Sequence, residues 1–93
     1  MSEFALNLVL RPNPEVIAKR LDQATVLVDI STSRIFELNE TGTRIWELLE
    51  TPMTVEQICA KLCDEFEVDA QDCQTAVLKF ANELVDHGII HAA

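Results

Sequence analysis

The chain has 93 residues, room for one domain with one core. It is 48% hydrophobic and 25% charged, the balance of a soluble globular protein, and with only 5% aromatics its core must be mostly Leu, Ile and Val. Seven basic residues against sixteen acidic ones give a net charge of −9, which opposes nucleic acid and anionic membrane surfaces and favours basic peptides or basic protein patches.

The N-terminal MSEFALNLVL carries Glu3, lacks a basic leading segment and is interrupted by Asn7, so no signal peptide is expected, and nothing approaches the length of a membrane span. Phe4, Leu6, Leu8 and Leu10 alternate with Ala5, Asn7 and Val9, a strand pattern that Pro12 and Pro14 should break. Val16 to Leu21 is a second apolar stretch, and Asp22-Gln23 reads as a turn. Thr25 to Ile30, TVLVDI, is the strongest strand in the chain. Ser31-Thr32-Ser33 connects it tightly to Arg34–Leu38, where apolar residues again alternate. A meander of three strands is therefore expected between Val16 and Leu38.

At Leu38-Asn39 the hydrophobic period changes from two to 3.6 residues. Asn39 can cap a first helix from Glu40 to Glu50, with Ile45, Leu48 and Leu49 inward and Trp46 anchoring it on the sheet. Gly42 reads as a close-packing or turn position. Thr51-Pro52-Met53 ends this helix, and Thr54 with Gln57 forms a capping box for a second. The apolar face of that second helix is Val55, Ile58, Cys59, Leu62 and Phe66. Asp69 starts a third helix carrying Cys73, Ala76, Val77, Phe80, Ala81 and Leu84 on one face, with Gly88 as its C-terminal stop. Ile89-Ile90 is a short final strand or tail. The fold class is α+β, winged helix-turn-helix-like, a three-stranded antiparallel sheet followed by three helices. Residues 1–14 read as an N-terminal extension and 15–93 as the domain.

Chemistry is sparse. The His residues, His87 and His91, lie near the C-terminus, away from any nucleophile motif. Cys59, Cys63 and Cys73 form no CxxC pair, so reduced, buried thiols in a cytoplasm are expected rather than a disulfide or a metal site. With two glycines, Gly42 and Gly88, no phosphate-cradling loop exists. No catalytic residue, metal or cofactor is expected. The third helix sets Lys79 against Asp69, Asp72, Glu83 and Asp86, which removes the phosphate contacts that a DNA-recognition helix needs. Peptide or protein binding remains. Arg34–Leu38 is the last strand of its sheet, and Leu78 and Val85 form a second apolar strip on the third helix, flanked by Gln74 and Asn82. A strand edge beside an apolar helix face would form a groove; the alternative is that Leu78 and Val85 pack under the sheet.

The segments VLVDISTSRIFELN, Glu40-Thr41-Gly42 with IWELL, TVEQICAKLCDEF, Val68-Asp69 and ELVDHGII, in that order, resemble the coenzyme PQQ synthesis protein D (PqqD-like) family. The resemblance runs from Val16 to Ile90. It implies the precursor-peptide recognition element of ribosomal peptide natural-product pathways, a non-catalytic module. In that family a leader peptide adds beside the third strand and packs on the third helix. The carried-over site is Arg34, Ile35, Phe36 and Glu37 on the strand, with Gln74, Leu78, Asn82 and Val85 on the helix. The implied partners are the precursor peptide and a modifying enzyme, such as a radical SAM protein or a leader protease. The segment Phe4–Leu10 is extra to the minimal module and is open as a fourth strand, a swapped strand in a homodimer, or an occupant of the groove. A structural or regulatory dimerising subunit without a peptide client is the alternative function.

The protein should give no duplex-DNA shift at physiological salt; a salt-sensitive gel shift at low micromolar protein would contradict it.

Overall fold

The computed structural model describes residues 8–92. Residues 4–7 of the first strand pattern lie outside them. The described elements are β1 (Val9–Pro12), β2 (Val16–Leu21), β3 (Ala24–Asp29), β4 (Arg34–Leu38), α1 (Glu40–Leu48), β5 (Met53–Thr54), α2 (Val55–Glu65), α3 (Ala70–Asp86) and β6 (Ile90–Ala92). The meander is present as an antiparallel sheet of order β2-β3-β4, and the three helices follow it.

A second small sheet, of order β5-β1-β6, was not expected as a sheet, although β1 overlaps the end of the N-terminal strand pattern and β6 takes up the short final strand at Ile90. Its strands are two to four residues long, too short to express a period. Strand β1 is its middle member, and Leu10 is 1% exposed, so this part of the expected extension contributes to the core. Both ladders of β1 close within the chain. Pro12 does not stop the strand before it pairs. It is the last residue of β1, where β6 alone runs alongside, so its missing N–H is tolerated. Asn13 joins the sheets: its N–H donates to the Ile89 carbonyl at 2.9 Å and its side chain to the Gly88 carbonyl at 2.9 Å.

Strand β3 explains the main sheet. Thr25, Leu27 and Asp29 are buried on one face while Val26 and Val28 are half-buried on the other. Leu27 is fully buried, which stabilises by about 1.5–3 kcal/mol relative to exposure. Asp29 tolerates its inward position because its carboxylate accepts from the Ser31 N–H at 3.0 Å and the Ser31 hydroxyl at 2.7 Å. Those bonds, the hydroxyl's foremost, hold its pKa below the usual carboxylate value. The turns need left-handed backbone at Asp22 (φ 58°), a residue type that tolerates it, and at Ser33 (φ 60°), which does not favour it but has a small side chain.

Each helix is capped as its sequence demands. Asn39 accepts from the Gly42 N–H, and Asp69 accepts from the N–H groups of Gln71 and Asp72. Thr54 and Gln57 form the reciprocal capping box at 3.1 and 3.0 Å. Helix α3 ends in a Schellman motif. Gly88, at φ 73°, donates to the Val85 carbonyl, Ile89 donates to the Leu84 carbonyl, and Ile89 and Leu84 are both buried. Helix α1 is two residues shorter than expected, closing at Leu48 with Leu49 as its C-cap. Arg44 of α1 holds Glu65 of α2 by a two-pronged ion pair at 2.6 and 2.5 Å and also reaches Glu47, which pairs with Arg20 of β2. Phe66, expected on the apolar face of α2, is instead its C-cap and 37% exposed. The three cysteines are free thiols; burial raises the pKa of Cys59 and pushes that of Cys73 up to about 12.

Two outcomes are expected. Thr54→Ala should cost about 1 kcal/mol, lowering the midpoint by several degrees in a calorimetric scan; an unchanged midpoint would mean that the capping box contributes nothing. In the native protein at mildly alkaline pH, Cys73 should be the slowest thiol to alkylate, read by mass spectrometry of iodoacetamide-treated protein; labelling as fast as in the denatured chain would contradict its burial.

Candidate peptide-binding site

Strand β4 is an edge: it pairs with β3 on one side and with no described strand on the other. Its alternation sends Phe36 and Leu38 inward beside Leu27 and Thr25, while Ile35, 69% exposed, and Glu37 face outward. The open row of backbone N–H and C=O groups faces a groove of about 260 Å³ walled by Phe80, Glu83, Leu84 and His87 of α3. Past Asn39 and Phe80 lies a larger apolar groove of about 470 Å³. Thr41, Gly42 and Ile45 of α1, Leu62 and Phe66 at the end of α2, Val68, and Cys73, Ala76 and Val77 of α3 line it.

Gly42 is what lets the two grooves meet. A Cβ at this position would stand 3.0 Å from Cε1 of Phe80 and 3.3 Å from Cβ of Leu38. The Phe80 ring therefore rests on the first turn of α1, at the corner where strand becomes helix. Gly42 is a close-packing position, as its sequence context suggested.

The far end of the strand groove is closed by a clamp. The guanidinium of Arg34 lies 5.3 Å from the Phe36 ring centroid and 2.8 Å from Nδ1 of His87, and the Phe36 and His87 rings are 5.2 Å apart. Arg has no acceptor, so in this contact the guanidinium donates to His87 Nδ1. The clamp ties the start of β4 to the end of α3. Glu37 and Glu83 give the rim between these ends a negative character.

The structure brings Arg34, Ile35, Phe36 and Glu37 together on the edge, but sets Gln74, Leu78, Asn82 and Val85 on the other flank of α3. With 100° per residue, Leu78 and Val85 lie about 140–160° around the helix from Phe80. Leu78 and Val85 are half-buried against the core and line neither groove. The α3 residues that share a groove with β4 are Phe80, Glu83, Leu84 and His87. A four-residue core axis of Cys73, Val77, Ala81 and Leu84 has an apolar strip on both flanks, and the periodicity alone does not say which flank meets the strand. The aromatic Phe80, seven residues before His87 and on its side of the axis, was the available signal. No group of three or more metal-ligating side chains occurs among the described residues.

The sequence model of coenzyme PQQ synthesis protein D (PqqD) matches residues 24–90. Two solved structures share the fold. TbiB1, in complex with the TbiA(beta) leader peptide, is 27% identical with a TM-score of 0.82, the match covering 87% of this chain and 94% of that one. A lasso peptide synthetase B1, complexed with its leader peptide, is 23% identical with a TM-score of 0.78, covering 88% and 96%. No curated protein matches. With the family pattern running from β3 into β6, this chain belongs to the PqqD family.

Proposed function

We propose that the chain is a non-catalytic binding module that captures the leader segment of a ribosomally made precursor peptide as an added strand on β4. The observation that carries this reading is the open β4 edge bordering the groove walled by Phe80, Glu83 and His87, in a chain similar to a protein solved with a leader peptide. The edge offers backbone donors and acceptors, which bind an extended peptide with little sequence preference. The groove beyond Phe80 receives apolar side chains and sets specificity. Glu37 and Glu83 on the rim favour a leader with basic residues, and the net charge of −9 speeds its capture at low salt. The bound peptide is then presented to a modifying enzyme, of radical SAM type or a leader protease, in the cytoplasm.

Ala76→Arg tests the site. Ala76 is exposed and helical, so the fold should survive, while the new charge lies in the apolar groove and loses solvation when a peptide docks. The probe is a labelled synthetic peptide in which apolar residues alternate with lysines, the chemistry that the strand edge and its acidic rim would take. Its affinity should fall at least about tenfold for Ala76→Arg and stay within about twofold for Val85→Arg, on the far flank, with circular dichroism confirming both folds. Equal loss at both positions, or loss at Val85 alone, would place the site on the other side of α3.

A further inference from the structure

The outer face of the β2-β3-β4 sheet is apolar where an antiparallel sheet usually presents polar side chains to water. The register puts Ile17, Val28 and Ile35 in one row across the three strands. Ile17 is 54% exposed and Ile35 69%. Ile30 at 58% and Leu21 at 49% extend the patch along the strands. The exposed apolar area is on the order of 400 Å², in the range of the largest patch on a typical monomer. The next row reads Lys19, Val26, Glu37, with opposite charges at its two ends and an apolar residue between.

We propose that this face is a dimer interface between two copies of the chain, stacked sheet on sheet. The charge row selects a second copy as the occupant. A two-fold axis lying between the sheets and along β3 sets each β3 on its counterpart and each β2 over the other copy's β4. That operation keeps the rows in register. Val28 meets Val28, Ile17 of each copy meets Ile35 of the other, and Lys19 of each copy meets Glu37 of the other. The patch is thus self-complementary in both hydrophobicity and charge. The strands run in the same direction to within the sheet twist, which is the aligned packing of a β-sandwich. The axis also leaves the backbone of the outer β4 edge open, so a strand can add there with a second copy in place, Glu37 being shared between the groove rim and Lys19 of that copy. This dimer differs from one built by exchanging the N-terminal strand, because both ladders of β1 already close within the chain. The patch is small for a permanent interface, so the association is weak, with a Kd on the order of 10–100 μM.

The test uses sedimentation velocity from about 10 μM to about 1 mM, the range a small interface requires. Lys19→Glu and Glu37→Lys should each weaken self-association about tenfold, because each creates two like-charge contacts across the axis. An equimolar mixture of the two variants should recover dimer to at least about half the wild-type level, since every contact in the mixed pair is opposite in sign and only mixed pairs are restored. Ile17→Lys should abolish the dimer, with circular dichroism confirming its fold. A wild-type chain that stays monomeric to about 1 mM overturns the proposal and leaves the face to a different protein. A mixture no more dimeric than either variant alone also overturns it.

Discussion

Strand β4 passes into helix α1 through a single residue, Asn39, and most of the candidate site depends on that joint. Asn39 keeps an extended backbone as the N-cap (φ −74°, ψ −174°), and accepts the Gly42 N–H with its side chain and the Thr43 N–H with its carbonyl. Leu38 is 5% exposed just before it, and its carbonyl receives the Thr43 hydroxyl at 3.4 Å. With no loop between them, the sheet edge and the helix cannot move independently. The angle between them is what opens the space that Phe80 enters. A side chain at position 42 would press on that ring and shift the wall of both grooves.

A winged helix-turn-helix shape is often read as a DNA-binding device, yet this one lacks the necessary field. In the DNA-binding version the second helix of the pair presents cations to phosphates. Here the corresponding helix α3 begins with its Asp69 cap, continues with Asp72, and carries Glu83 and Asp86 toward its end. What the fold keeps is the geometry: a rigid helix laid beside a short sheet. The wing strand β4 then supplies an edge of unpaired backbone, which in a DNA-binding protein would approach a phosphate chain. A peptide strand asks for the same edge without the positive charge.

The parts legible in the sequence were those with strong local signals. The change of period at Leu38-Asn39, the Thr54–Gln57 box and the Gly88 stop each express a constraint within four residues of chain, and each is present in the structure. The second sheet was hidden because its strands are too short to alternate and its pairings join residues far apart in the chain, such as Arg11 with His91. The β4 half of the candidate site was visible as the last strand of a meander. Its helix half was not, because the apolar strips on both sides of the α3 core axis look alike in one dimension. Handedness decides between them, and only the three-dimensional crossing of α3 past β4 reveals that Phe80 and His87 are the inward flank.

The same long-range pairings determine how well the groove can bind. An added strand loses conformational freedom on docking, and that loss grows if the receiving surface must order as well. This surface is already held at every corner. Asp69 caps the start of α3, and its end is fixed by the Schellman motif, by Asn13 on the Gly88 carbonyl and by β6 pairing with β1. The edge strand is held by β3 on one side, by Asn39 at one end and by the Arg34–His87 contact at the other. A peptide arriving at β4 therefore meets an edge and a wall whose separation is set before binding. The ordering cost falls on the peptide alone. A scaffold of this size can then bind a flexible segment with a short ladder of backbone hydrogen bonds and a few apolar side chains. The N-terminal strand β1, outside the span of the family match, takes part in this preorganisation by bracing the C-terminal end of α3 through β6.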